Sequence, residues 1–193
     1  MKGILVELYR DIGKISVLCN FLRSTNEHHS YSAGDENPSM VEQIPTSNDK
    51  VVIEATYPGV KPEELFRYMV EPQLLTQWWP PQAETDPQMG GAYHLNWPDM
   101  EWHLRGHYNL YEPPHRLGFT WQWDHEPEIP TRHVSIDIDP RDGGTKLTVT
   151  HGFYNDSPRD REERQGHIDG WPYFLGRLQA VLSKGGTGDH DAS

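Results

Sequence analysis

An α+β domain, with an antiparallel sheet packed on a long C-terminal helix, is the fold class that three features of this sequence predict. Alternating apolar and polar residues run from Gly90 to Phe153, interrupted by turn signals at Pro98-Asp99, Pro113-Pro114 and Asp142-Gly143-Gly144. Two short helical patterns, each following a proline, precede that run. One long helical pattern follows it, from Ser157 to Lys184.

Taken in chain order, the first strand is Val51, Ile53, Ala55 and Tyr57 alternating with Val52, Glu54 and Thr56, and Pro58-Gly59 ends it. Pro62-Glu63-Glu64 opens a helix, with proline in the first turn and acids at the positive end of the dipole. Leu65, Phe66, Met69 and Val70 form its buried face. A second short helix follows Pro72 and carries Leu74, Leu75, Trp78 and Trp79 up to Pro80-Pro81. The last helix starts at Ser157-Pro158-Arg159-Asp160, an N-cap with proline first and an acid third. Ile168, Trp171, Leu175, Leu178 and Leu182 recur along it until Gly185-Gly186.

The turns predict the pairing. A loop at 98–101 sets Trp97 opposite Trp102, Leu95 opposite Leu104 and Tyr93 opposite Gly106. A loop near 113–116 sets Leu110 by Phe119, Tyr108 by Trp121 and Gly106 by Trp123. Both registers put Tyr93, Leu95, Trp97, Trp102, Leu104, Gly106, Tyr108, Leu110, Phe119, Trp121 and Trp123 on one face. His94, Asn96, His103, Arg105, His107, Asn109, Thr120, Gln122 and Asp124 take the other. An antiparallel sheet covered on one side has this division. Val134, Ile136 and Ile138, then Leu147, Val149, His151 and Phe153, extend the apolar face, which packs on the final helix. About six strands result.

Composition narrows the function. Lys and Arg total 17 against 29 Asp and Glu, a net charge of −12, which repels nucleic acid and anionic membrane surfaces. Neither partner is expected. Cys19 is the single cysteine, so an internal disulfide is excluded and a reducing compartment fits. No stretch is apolar enough to span a bilayer, and Glu7, Arg10, Asp11 and Lys14 interrupt the hydrophobic start at Ile4-Leu5-Val6. The cytoplasm is the expected location.

Residues 1–49 differ from the rest. Ile4, Leu8, Ile12, Ile15, Leu18 and Leu22 fall on one helical face, and residues 24–49 read as a linker. The helix is read either as a docking or homodimer element or as a loosely packed extension. The domain is expected over 50–184, with a disordered tail at 185–193.

Gly106 lies among large aromatics without a side chain of its own, and a glycine within a strand marks a bend or a space. Its surroundings read either as a ligand cavity or as a plain core with tryptophan as bulk. Tyr93, Trp97, Trp102, Gly106, Tyr108, Trp121, Trp123, His151 and Trp171 are the candidate ligand-binding residues. His151 is the chief polar group among them and bonds to Tyr93, Tyr108, a backbone carbonyl, water or a ligand. His103 and His107 share a strand face but lie about 13 Å apart in an extended chain, too far for one zinc ion. No metal, cofactor or catalytic set is expected: no Walker loop, dinucleotide fingerprint, serine elbow or CxxC is present.

Several words of the chain, in order, resemble the START-like (SRPBCC) superfamily, and within it the branch named for activators of heat-shock-protein-ninety ATPase (Aha-type domains). They are Pro62-Glu63-Glu64-Leu65-Phe66, Leu75-Thr76-Gln77-Trp78-Trp79-Pro80, Gly90-Gly91-Ala92-Tyr93 and Arg105-Gly106-His107-Tyr108. The match continues through Pro114-His115-Arg116-Leu117-Gly118-Phe119-Thr120-Trp121, the run Gly143 to His151, and Gly170-Trp171. It covers roughly residues 50–183 and implies the helix-grip fold, a curved sheet wrapped on the last helix. It also implies a pocket between sheet and helix, used by relatives for lipids, hormones, polyketides and other hydrophobic molecules. Binding of a small hydrophobic or aromatic molecule is therefore the expected function. The alternatives are a cofactor-independent cyclase or dehydratase using the same pocket, and a module that regulates a chaperone ATPase.

Overall fold

The computed structural model describes residues 40–185. Eight strands form one antiparallel sheet: β1 (Val41–Ile44), β2 (Lys50–Pro58), β3 (Gln82–Thr85), β4 (Ala92–Trp97), β5 (Trp102–Glu112), β6 (Arg116–Trp123), β7 (Arg132–Arg141) and β8 (Gly144–Gly152). Helices α1 (Pro62–Val70) and α2 (Pro72–Leu75) connect β2 to β3, and α3 (Pro158–Gly185) follows the sheet. The strand order is β1-β2-β8-β7-β6-β5-β4-β3, so one crossover carries the chain from β2 to the far edge.

Period-two burial builds the inner face. Val51, Ile53, Ala55 and Tyr57 of β2, Val134, Ile136 and Ile138 of β7, and Leu147, Val149 and His151 of β8 are all buried, while their neighbours are more exposed. Helix α3 covers this face with Trp171, Phe174, Leu175, Leu178 and Leu182. Helix α1 buries Leu65, Phe66, Met69 and Val70, after Pro62 and the acids Glu63 and Glu64 of its first turn. At the start of α3 the Ser157 hydroxyl accepts from the Asp160 backbone N–H at 3.1 Å and donates to the Asp160 carboxylate at 3.0 Å. That is the cap expected from Ser157-Pro158-Arg159-Asp160.

The architecture is the expected helix-grip arrangement, with two more strands than the six expected. Both extra strands are four-residue edges that lack a long alternating pattern. Strand β1 lies inside the stretch read as a linker and pairs Val41 with Ala55 and Ile44 with Val52, so the sheet begins at Val41. Strand β3 pairs with β4, Thr85 opposite Tyr93. The second helix is also shorter than expected: it ends at Leu75, and Trp78 and Trp79 lie in the irregular segment beyond it. The expected helix over residues 4–22 and the tail beyond 185 lie outside the described residues.

The β4–β5 register is the expected one, with Trp97 opposite Trp102, Leu95 opposite Leu104 and Tyr93 opposite Gly106. The β5–β6 register is corrected by two residues. Tyr108 faces Phe119 rather than Trp121, and Leu104 takes the place opposite Trp123 expected for Gly106. A slip of two keeps every side chain on its own face, so the face assignment survives it. A register shift between Tyr108 and Leu110 changes it further along. Leu110 pairs with Gly118 rather than Phe119, and Tyr111 rather than Leu110 packs against the core. The Tyr111 ring meets Phe66 edge-on at 5.6 Å.

Candidate functional site

Between the inner face of β4–β8 and helix α3 lies a seam of stacked aromatic rings. Trp121 of β6 is at its centre: its ring lies 5.9 Å from Trp123, 5.9 Å from Trp171, 4.9 Å from His151 and 5.4 Å from His167. Trp97 touches Trp123 at 5.4 Å. Of the residues singled out from sequence, Trp97, Trp121, Trp123, His151 and Trp171 are therefore one cluster. Tyr93 and Tyr108, 5.9 Å apart, stand further along the sheet against Phe119. Trp102 is half-buried and stacks on His125 at 5.2 Å, at the margin of the seam.

The side-chain position of Gly106 is filled. A Cβ there would overlap the Thr120 carbonyl oxygen and come within 2.6 Å of the Tyr93 ring and 2.8 Å of the Thr120 hydroxyl. Tyr93 Oη–H donates to that same carbonyl at 2.6 Å, and the His107 N–H donates to Thr120 Oγ1 at 3.0 Å. Glycine is needed because β5 and the turned Thr120 peptide approach too closely for any side chain.

Trp79 fills the seam. Its indole stacks on Trp78 at 5.4 Å and Trp121 at 5.6 Å, and meets Trp171 at 5.3 Å and Phe174 at 6.3 Å. Two voids of about 20 Å³ remain, one among Trp97, Trp121, Trp123, His167 and Trp171, the other among Leu75, Tyr93, Leu95, Tyr108 and Phe119. Trp79 lines both of them, so its indole stands between the two voids. A far larger depression is an open groove of about 690 Å³ on the polar side of β3–β6, bordered by Glu84, His94, Arg105, His107 and Gln122 and by two residues singled out from sequence, Tyr93 and Gly106. There His94 and His103 share a hydrogen bond of 2.9 Å across β4 and β5. No three His, Cys, Asp or Glu side chains gather as metal ligands among the described residues.

Beside His151 and Trp171, the seam holds polar groups that the sequence did not single out: Tyr154, His167 and Arg132. Trp171 Nε1–H donates to His151 Nδ1 at 3.1 Å, and Tyr154 Oη bonds to His167 Nδ1 at 2.7 Å. The two imidazoles lie face to face with ring centres 3.9 Å apart. Behind them Arg132 donates to Glu163 at 2.8 Å, pairs with Asp160 at 2.9 Å, bonds the Phe153 carbonyl at 2.5 Å and lies 5.0 Å above the Tyr154 ring. Burial, the neighbouring imidazole and the Arg132 charge push the His151 pKa well down. Burial and the Arg132 charge bring His167 down to about 3. Both rings are neutral at physiological pH.

Periodicity held signals for two of these groups. Arg132 shares the parity of Val134, Ile136 and Ile138, and His167 precedes Trp171 by four residues on the same helical face. Trp79 shared helical spacing with Leu75, but that pattern marked it as packing of the second helix and not as part of the site.

The order of strands and helices, with an aromatic seam under the C-terminal helix, defines a helix-grip protein of the START-like superfamily. The sequence pattern of the family described as "Activator of Hsp90 ATPase homolog 1-like protein" matches residues 59–183, and the chain belongs to that family. No curated protein matches it. Among solved structures, protein MLL2253 from Mesorhizobium loti is 25% identical, with a TM-score of 0.62 over 70% of this chain and 97% of that one. A protein from Arthrobacter aurescens is 19% identical, with a TM-score of 0.63 over 80% of this chain and 99% of its own. DynU16, from the dynemicin biosynthetic locus, is 22% identical with a TM-score of 0.62, over 71% of this chain and 48% of its own. Among the described residues no helix is long and apolar enough to cross a membrane.

Proposed function

We propose that the protein binds a small hydrophobic, planar aromatic molecule in the seam between the sheet and α3, in the space the Trp79 indole occupies. The observation that carries this reading is the position of Trp79, whose ring borders two voids against the same sheet, one under His167, Trp171 and Phe174 of α3 and the other under Met69 of α1 and Leu75 of α2. Trp79 reaches that place from the segment between α2 and β3, outside regular structure, so its withdrawal breaks no helix or strand pairing. Membership of a helix-grip family supports the reading. So does likeness to DynU16, which comes from a biosynthetic locus. Cytoplasmic placement, the compartment a single cysteine suits, belongs to the same proposal.

Removal of the Trp79 side chain tests it. Trp79→Ala joins the two voids, lowers stability by about 3–5 kcal/mol, and leaves a dry aromatic cavity of indole shape. Added indole then raises the melting temperature of this variant, and by more than that of the wild type, where the Trp79 ring must first withdraw. An unchanged melting temperature in saturating indole would show that the seam collapses and is no site. Native mass spectrometry of the gently purified full chain identifies the natural occupant by its mass.

Turnover at the same seam is the second reading, favoured by the hydrogen-bonded Tyr154 and His167, a phenol and an imidazole in contact where the His167 ring lines the void beside Trp79. A bound compound consumed by the wild type but not by His167→Gln supports it.

A further inference from the structure

Four ring nitrogens of the seam have no partner among the described residues: Trp121 Nε1, Trp123 Nε1, His151 Nε2 and His167 Nε2. Their residues are at most 6% exposed. The hydrogen positions follow from the bonds the rings do make. His151 Nδ1 accepts from Trp171, so the hydrogen of its neutral ring is on Nε2. Among the described residues the Tyr154 hydroxyl has no other acceptor, so it donates to His167 Nδ1 and places that ring's hydrogen on Nε2 as well. Indole nitrogens only donate. All four orphans are therefore N–H donors.

An unmet buried donor costs about 1–3 kcal/mol, so four of them need an acceptor. Water satisfies this set badly. A void of about 20 Å³ admits one water, which offers two lone pairs and brings two hydrogens of its own. Trp121, Trp123 and His167, which hold three of the four orphans, line that void, and these donor nitrogens offer the water hydrogens no acceptor. An oxygen that only accepts has no such penalty.

We propose that the seam selects aromatic molecules bearing an acceptor-only oxygen, a ketone carbonyl or a phenolate. The oxygen sits in the void lined by Trp121, Trp123 and His167, and the ring takes the Trp79 space. Because the donors are neutral groups in an apolar wall, a carbonyl suits them without the desolvation of a full charge. The inference rests on the binding reading above, which supplies the ring site, and adds the chemistry of the ligand's polar end.

Three bicyclic probes of nearly one shape test it on the full-length chain: 1-tetralone with a carbonyl, 1-tetralol with a hydroxyl, and tetralin with neither. The expected result is 1-tetralone bound roughly tenfold or more tighter than tetralin, with 1-tetralol between them, by titration calorimetry. The carbonyl stretch of bound 1-tetralone should also fall below its value in an apolar solvent. Trp121→Phe and Trp123→Phe, each deleting one unpartnered donor beside the void while keeping an aromatic ring, should narrow the preference. Either variant alone suffices if the other does not fold. Equal affinity for 1-tetralone and tetralin, or an unshifted carbonyl stretch, overturns the proposal. Binding of no probe overturns it too, while the indole result with Trp79→Ala decides the underlying ring site separately.

Discussion

The Nε1–H of Trp171 on α3 and Nδ1 of His151 on β8 form a hydrogen bond of 3.1 Å that ties the long helix to the sheet within the aromatic seam. Both residues are buried, His151 fully. The partner of His151 is thus an indole, none of the Tyr93, Tyr108, backbone, water or ligand partners expected from sequence.

His151→Phe keeps an aromatic ring and removes the acceptor for Trp171. The stranded indole N–H should lower stability by about 1–3 kcal/mol, read as a shift in urea midpoint with the slope unchanged. A stability equal to wild type would mean that Trp171 finds another acceptor.

The lowered pKa values of His151 and His167 set a pH dependence. His167 stands at about 3 in the folded chain against 6.5 as reference, so the unfolded state binds the extra proton between those values. Stability is therefore complete above about pH 6.5 and declines as pH falls. The two imidazoles each contribute a slope approaching about 1.4 kcal/mol per pH unit. Urea midpoints between pH 7 and 5 should fall accordingly, and more shallowly in His151→Phe. A flat profile would show that these rings accept protons while folded.

Arg132 binds Asp160 and Glu163 with side chains only 5 to 7% exposed. Burial raises the Asp160 pKa, but the Asn155 N–H, the Ser157 hydroxyl and Arg132 more than offset it and hold the carboxyl low. Arg132→Met leaves two buried carboxylates without their cation and should cost about 3–5 kcal/mol near neutral pH. Acid should restore part of that loss by protonating them. Calorimetric melts at pH 7 and 5 give both values.

Gly106→Ala places a methyl group against the Thr120 carbonyl and the Tyr93 ring. The strand must shift or the Tyr93 bond to Thr120 must break, at about 1–3 kcal/mol. A drop in melting temperature without added ligand is expected. Wild-type stability would restore the reading of Gly106 as the floor of a cavity.

Sequence alone determined which side chains of β2, β4, β6, β7 and β8 face inward, because the alternation of a strand is a local property of its backbone. Phe153, read as the next inward residue after His151, lies past the end of β8 and is exposed. It also determined the capped start of α3 and the β4–β5 hairpin, each made by residues a few positions apart. Tertiary structure decided the rest. The register of β5 on β6 depended on the irregularity between Tyr108 and Leu110, which appears only once the two strands pair and Tyr111 meets Phe66. The edge strands β1 and β3 are four residues each, too short to alternate visibly, and form because a long partner strand lies beside them. Trp79, His167 and Arg132 entered the site the same way. Their neighbours Phe174, His151 and Glu163 come from distant parts of the chain, and only packing the helix on the sheet brings those rings and charges within a few ångströms.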